Sequence, residues 1–267
     1  SSTLRAGLTS DDEPFYTCPS IIGTLINEEI PPMWNACGTG PFVGNDALQK
    51  KEILNLKNPV ERGVITDWDG FELLIDSVFK ELEIPIEECT SITFTEPIKV
   101  PFNQREKLVE IMFEKYQMKE VRLQNAIVNI FSTQKKKNGI VVCIGGGLTQ
   151  IVPFFEGKPV SNEAKKIEFA GQDITEYLQE LLTEKGYYFQ TYDYLPIIND
   201  IKESLGYVSL DFTGDLINYR RGIIKDKVFE LPNGRIILLG DELFRAPEAL
   251  FRPSLFNSKN SSLQQLI

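Results

Sequence analysis

The stretch that most constrains this chain is 138–157, N-G-I-V-V-C-I-G-G-G-L-T-Q-I-V-P-F-F-E-G. Gly139 opens a run of Ile140, Val141, Val142, Cys143 and Ile144, too short for a helix and too apolar for an exposed loop, which predicts a buried strand. Gly145, Gly146 and Gly147 then make a tight reversal, a second apolar run fills 148–155, and Glu156-Gly157 closes it as another turn. The pattern is a hairpin with a glycine tip. Glycine suits such a tip because it accepts positive φ and lets another group come close. Two readings stay open on the residues alone: a plain β-turn, or a concave array of amide N–H groups that holds an anion such as a phosphate. Spacing does not decide between them, since the stretch matches neither G-x-x-x-x-G-K-S/T nor a G-x-G-x-x-G that opens a helix.

Composition narrows the chemistry. None of the 267 residues is histidine, which removes Ser-His and Cys-His nucleophiles, H-E-x-x-H zinc chemistry and any imidazole base. Cys18, Cys37, Cys89 and Cys143 are far apart and form no C-x-x-C, which argues against zinc and fits reduced thiols. A net charge of −10 argues against a general nucleic-acid binder. The one basic run, Lys135-Lys136-Lys137, reads as a solvated loop before the hairpin. No apolar window is long enough for a membrane span and no signal peptide opens the chain, so a cytosolic or nuclear protein is expected.

Along the chain, 18–26 reads as a strand, and 27–42, with Pro31-Pro32, Gly38 and Gly40, as a surface loop. That loop holds Met33 and Trp34, either anchors for a protein partner or side chains folded back on their own domain. Helices are expected over 67–82, with Asp67 as N-cap and Pro85 beyond its end, over 105–118, and over 124–132. A strand at 91–94 lies between the first two. After the hairpin, Asp173 with Glu176 reads as a capping box and Gly186 as the stop of that helix. A helix over 197–210 is expected to bury Ile198, Ile201, Leu205 and Val208, and Asn233-Gly234 is the tip of a second hairpin. Residues 257–262 read as a frayed polar tail. Helices alternating with strands predict an α/β fold.

A set of collinear segments adds a resemblance. Asp11-Asp12-Glu13-Pro14 with Pro19-Ser20-Ile21-Ile22-Gly23, then Val43-Gly44-Asn45-Asp46-Ala47, then the run 59–69 (P-V-E-R-G-V-I-T-D-W-D) are followed by Thr95-Glu96-Pro97 and Asn103-Gln104-Arg105-Glu106-Lys107. Beyond the hairpin come Ala170-Gly171-Gln172-Asp173-Ile174-Thr175, Asp200-Ile201-Lys202-Glu203, Leu231-Pro232-Asn233-Gly234 and Pro247-Glu248-Ala249-Leu250-Phe251. In this order and over nearly the whole chain, they resemble the actin and actin-related protein family. The hairpin is similar to that family's second phosphate-binding hairpin.

The resemblance implies an actin-like (ribonuclease H-like) α/β fold of two domains, each with a smaller insertion. It is expected to be incomplete, with the family's first strand and C-terminal third absent. The implied divisions are 1–19 with 59–132, an insertion at 20–58, 133–169 with 258–267, and an insertion at 170–257. It further implies a nucleotide site, ATP or ADP, built from Arg5, Gly145, Gly146, Gly147, Leu148, Gly171, Lys202 and Glu203. The loop with Met33 and Trp34 corresponds to the segment through which actins contact a neighbouring subunit.

Several family residues are replaced. Cys143 stands where the family's phosphate loop has an aspartate that acts through magnesium-bound water, and Gly146 where it has a second carboxylate. Gln150 replaces a histidine that orders attacking water, Asn125 or Gln124 aligns with a glutamine, and Arg5 replaces a lysine. Lys202 and Glu203 remain near the base position, but the acid and arginine before them do not. A thiol is a poor ligand for Mg²⁺, and losing one placed electrostatic group costs about 2.7–4 kcal/mol of transition-state stabilisation. The expectation is a non-catalytic structural subunit of a multiprotein, cytoskeletal assembly, with other chains, actin or actin-related proteins among them, as partners and neither nucleic acid nor membrane. The alternative is a filament-forming ATPase read from an incomplete sequence.

Overall fold

The computed structural model describes residues 2–26, 41–83, 85, 89–189, 194–256 and 261–267. Met33, Trp34 and Cys37 lie outside the described residues. The chain divides into two compact units, Ser1–Lys166 and Ile167–Ile267, of mixed α/β content as expected.

In the first unit, β1 (Thr3–Ala6) and β2 (Tyr16–Pro19) form an antiparallel pair. β3 (Ile22–Leu25) lies between β4 (Phe42–Val43) and β5 (Leu54–Lys57), with α1 (Asn45–Gln49) and a 3-10 turn (Lys51–Ile53) in the connection. The single strand expected over 18–26 is therefore two strands in two sheets. The break falls at Ser20 and Ile21, where the Ser20 amide donates to the Ser2 carbonyl (3.0 Å) and the Ile21 amide to the Pro19 carbonyl (2.9 Å), outside either ladder.

A short hairpin, β6 (Val60–Glu61) and β7 (Val64–Ile65), leads into α2 (Trp68–Glu81). Asp67 caps α2 as expected, its carboxylate accepting the Gly70 amide at 3.0 Å. The helix ends before Pro85, with Glu83 already at φ 53°. It buries Phe71, Ile75 and Phe79 against Met112, Tyr116 and Met118. Each such side chain contributes about 1.5–3 kcal/mol, enough to hold a helix that would be marginal alone.

β8 (Ser91–Glu96) and β9 (Glu120–Asn125) pair in parallel on either side of α3 (Phe102–Glu114), and α4 (Ala126–Ser132) follows. Two boundaries move. Pro101 precedes α3, which starts three residues earlier than the apolar spacing suggested and ends before Tyr116. The expected helix over 124–132 begins at Ala126, because Gln124 and Asn125 close a strand. That strand, E-V-R-L-Q-N, alternates apolar and polar with period two, but it runs into a helical pattern with no turn residue between.

The glycine hairpin forms as β10 (Gly139–Ile144) and β11 (Thr149–Phe155), with Cys143 opposite Gln150 and Ile144 opposite Thr149. β12 (Lys158–Pro159) and β13 (Lys165–Ile167) complete the sheet around β11. Here the expectation of a buried first strand is overturned. β11 is the central strand, with Thr149, Gln150, Ile151 and Val152 all buried, whereas no described strand pairs with the outer edge of β10. Val141 and Cys143 pack on the cluster of Ile127, Phe131, Val152 and Phe154, while Ile140, Val142 and Ile144 on the other face are exposed by 53%, 38% and 42%.

In the second unit, α5 (Gly171–Glu184) packs against α6 (Leu195–Leu205) and α8 (Glu242–Glu248); α7 (Phe212–Arg220) precedes the hairpin β14 (Lys227–Glu230) and β15 (Ile236–Leu239), and α9 (Leu263–Leu266) ends the chain. Ile174, Tyr177, Leu178, Leu181 and Leu182 of α5 form one apolar stripe of the core. The capping arrangement differs from expectation: Ala170 is the N-cap residue, and the Asp173 carboxylate reaches back to accept its amide at 2.8 Å. Gly186 stops α5 at φ 94°, with the Tyr187 amide returning to the Leu182 carbonyl. α6 ends at Leu205 because Gly206 is extended, so Val208 is 49% exposed instead of buried. The Asn233-Gly234 turn forms as expected, with Gly234 at φ 78°. Ser262, expected in a frayed tail, is buried and precedes α9, its amide donating to Gln265 Oε1.

Candidate functional site

The glycine turn 145–148 is short and internally braced. The Gly145 amide donates to the Leu148 carbonyl at 2.8 Å, so it is engaged within the turn. Gly146 and Gly147 donate to no acceptor among the described residues, which leaves two consecutive amides for an anion. Leu148 is buried, and its side chain would lie 2.7 Å from a Cβ placed on Gly63. What it offers a ligand is backbone.

The residue ahead of β1 and the β6–β7 turn meet this one. A Cβ on Gly146 would come within 2.6 Å of Ser2 Oγ, and a Cβ on Gly147 within 3.3 Å of Arg62 Cα and 3.7 Å of Arg62 Cγ. A Cβ on Gly147 would crowd the Arg62 backbone, whereas the Ser2 hydroxyl facing Gly146 is a side-chain end that can rotate away. Arg62 (φ 45°) and Gly63 (φ 73°) are the two left-handed residues of the β6–β7 turn. Sequence reading passed over Ser2 and Arg62 as site residues. The hairpin signal at Arg62-Gly63 was present, but nothing local says that its tip meets a turn some eighty residues away.

The residues standing at replaced positions have structural partners. Gln150 Oε1 accepts the buried Ile98 amide at 2.8 Å, fixing the loop after β8 to β11. Asn125 caps α4, its Oδ1 accepting from the Ile127 amide at 2.9 Å, and Gln124 Oε1 accepts from Asn129 Nδ2. Arg5 is exposed on β1, opposite Thr17. The Cys143 thiol is half-buried on the core side of β10. No carboxylate occurs between Gly139 and Phe155, and Mg²⁺ takes hard oxygen ligands, so the residues of this turn do not fit a carboxylate-directed magnesium ion. They do fit a phosphate, through the amides of Gly146 and Gly147.

Gly171, Lys202 and Glu203 belong to the second unit. Gly171 is the first residue of α5. The Lys202 ammonium, on α6, donates to the Gly171 carbonyl (2.9 Å), Thr175 Oγ1 (2.9 Å) and Asn199 Oδ1 (2.7 Å). All three of its protons are engaged, so it clamps α6 to the first turn of α5 and presents charge, not a spare donor. Burial lowers its pKa, opposed by the charge of Glu203. Asn199 Nδ2 in turn donates to Glu203 Oε1 at 2.8 Å, on the exposed side of the helix.

A family model described as "Actin" matches residues 1–266. The chain belongs to the actin family. Among its relatives in that family is "Actin-related protein 2" of Saccharomyces cerevisiae, 34% identical over 271 aligned positions that cover 99% of this chain and 68% of that protein. The actin-like fold read from the motifs is accordingly the fold of this chain. The actin family match covers both units, so the glycine turn and the Lys202 clamp are parts of one family domain.

Proposed function

We propose that this chain is a non-catalytic structural subunit of a larger multiprotein assembly of the cytoskeleton, an actin-related body kept for its architecture. The observation that carries this reading is Cys143, whose thiol packs on a hydrophobic cluster at the end of β10 in a turn region without a carboxylate. The polar side chains that stand at the other replaced positions, Gln150 and Asn125, hold backbone amides, which also favours scaffold over catalyst. The similarity to an actin-related protein supports an assembly of protein chains, with actin or actin-related proteins among the partners. Met33 and Trp34 are proposed as contact residues for such a partner. No helix among the described residues is long and apolar enough to cross a membrane, and a cytoplasmic, cytoskeletal place is proposed with the assembly.

The retained glycine turn favours a second element of the reading, that ADP or ATP is still held without turnover. Gly145, Gly146, Gly147 and Leu148 would hold its phosphates, and Arg5, Gly171, Lys202 and Glu203 are the further candidates for contact. The test is phosphate release from ATP by the purified protein in excess Mg²⁺, combined with mass spectrometry of what co-purifies from its native source. Phosphate release at the level of buffer and stoichiometric recovery with other chains are expected. Sustained Mg²⁺-dependent turnover, or recovery as a stable monomer, would defeat the proposal.

A further inference from the structure

The second unit carries an apolar surface outside the Lys202 clamp. α7 buries no residue, and both the turn that joins it to β14 and the outer face of the β14–β15 hairpin expose apolar side chains. Ile223 in that turn is 66% exposed, and Val228 and Leu238, which stand opposite each other across the hairpin, are 62% and 45% exposed. Ile237 and Leu239 already anchor the hairpin in the core, so the outer side chains are not what holds it. Exposed apolar side chains with a charged rim mark a contact surface on a soluble protein.

The charge here is opposite to that of the chain. Between residues 217 and 238 five lysines and arginines meet two carboxylates, in a chain whose net charge is −10. Arg220, Arg221 and Lys225 are exposed and take no part in an ion pair among the described residues. Asp226, the acid nearest them in sequence, is held elsewhere: its Oδ1 accepts the Tyr219 hydroxyl at 2.8 Å and lies 3.7 Å from the Lys185 ammonium, which also binds the buried Glu242 at 2.9 Å. The turn is fixed as well. Gly222, at φ 72°, returns its amide to the Tyr219 carbonyl, and the Ile223 amide reaches the Asn218 carbonyl, both at 2.9 Å. The cations therefore sit on an ordered turn, which lowers the entropy lost when a partner binds.

We infer that this surface docks an acidic, amphipathic segment of another protein chain, its carboxylates meeting Arg220, Arg221 and Lys225 and its apolar side chains covering Ile223, Val228 and Leu238. Charge complementarity selects this occupant. A guanidinium pairs with a carboxylate through two parallel hydrogen bonds, and two adjacent arginines offer that geometry twice. A membrane or a nucleic acid is an extended anionic surface and meets the field of the whole molecule, which is negative. A short segment is governed by the charges within about 8 Å of it at physiological salt, which here are those of the basic turn. A second copy of the chain carries the same net charge and is repelled at longer range. The inference goes beyond the scaffold reading, since it asks nothing of the glycine turn, of Met33 and Trp34, or of a second actin-related chain.

The test measures fluorescence anisotropy with the full chain and two short labelled peptides that interleave leucine with glutamate, one at helical and one at alternating spacing. The comparisons are the same peptides with lysine for glutamate or serine for leucine, phosphatidylserine vesicles and a DNA duplex. At least one acidic leucine peptide is expected to bind about tenfold more tightly than its lysine and serine counterparts, and to weaken as salt is raised. Arg220→Ser combined with Arg221→Ser is expected to weaken that binding about 3- to 10-fold, as for two exposed charge contacts, and to flatten its salt dependence. Arg220→Lys combined with Arg221→Lys is expected to recover part of the loss. Ile223→Ser combined with Val228→Ser is expected to weaken binding while leaving the salt dependence as it is. All four positions are exposed, so the variants are expected to melt with the parent. No binding of either acidic leucine peptide, equal binding of the lysine or serine counterparts, unchanged binding by the Arg220→Ser, Arg221→Ser variant, or a preference for vesicles or duplex would each overturn the inference. ATP turnover and the chains that co-purify do not enter these readouts, so the scaffold reading stands or fails separately.

Discussion

At the scale of single residues, Gln150 and Asn125, which stand in place of family groups, are tied into the fold by hydrogen bonds. Gln150 shows the balance: its Oε1 satisfies the Ile98 amide in a buried setting, where an unpaired amide would cost about 1–3 kcal/mol. Lys202 is the sharper case, because its charge is both partly desolvated and fully hydrogen-bonded. Lys202→Met is expected to destabilise the chain by roughly 1–2 kcal/mol at neutral pH, since the Gly171 carbonyl, Thr175 Oγ1 and Asn199 Oδ1 each lose a charged donor. The pH dependence has a definite sign. A lysine whose folded pKa lies below 10.5 releases its proton in the folded state first, so between the two values the unfolded chain carries more protons. Stability from this group therefore rises with pH in the alkaline window just under 10.5, and the desolvation cost is fully present below it. Urea midpoints of parent and variant, followed from neutral pH to about 10, check this: the parent is expected to gain relative to Lys202→Met as pH rises. A constant difference would show that Lys202 titrates as an exposed lysine.

Among the elements, the glycine hairpin is where expectation and structure part most usefully. Both its strands are apolar in sequence, but β11 is paired on both sides and buried, while among the described residues no strand pairs with the outer edge of β10, whose β-branched face is in water. Apolar composition reports that a strand can be buried; pairing reports whether it is. Exposed edges of this kind invite association. Val142→Lys is expected to change folding stability by no more than about 0.5 kcal/mol, as for an ordinary surface site, and to reduce concentration-dependent self-association in sedimentation velocity. A loss of several kcal/mol would mean that Val142 is covered in the folded chain. The helices were more legible. Asp67, Gly186 and the apolar stripe of α5 act within a turn or two of their own position, and the structure keeps each. α7 was missed because it buries no residue and so carries no apolar period, although Asp211 caps it by accepting the Gly214 amide.

For the molecule as a whole, the described apolar clusters fall within single units, three in the first and one in the second. The second gathers Phe169, Tyr177, Leu178, Leu182, Ile198, Ile201, Ile237 and Leu239 into one cluster drawn from α5, α6, α8 and the β14–β15 hairpin. A core of that extent in a chain of about 100 residues is sufficient for independent folding. Residues 167–267 expressed alone are expected to give a dispersed amide spectrum and one cooperative thermal transition. A sloping, non-cooperative melt would show that the cluster needs the rest of the chain.

The sequence by itself determined the family, the α/β class, the glycine hairpin, the Asp67 cap, the Gly186 stop and the absence of histidine chemistry, because periodicity, capping residues and collinear motifs are local and survive in one dimension. Only the tertiary structure decided which strand of the hairpin is central, that Lys202 has no donor to spare, and that Ser2 and Arg62 stand against Gly146 and Gly147. Those facts are contacts between residues tens to more than a hundred positions apart. They arise when turns and helices pack, and no spacing along the chain encodes them.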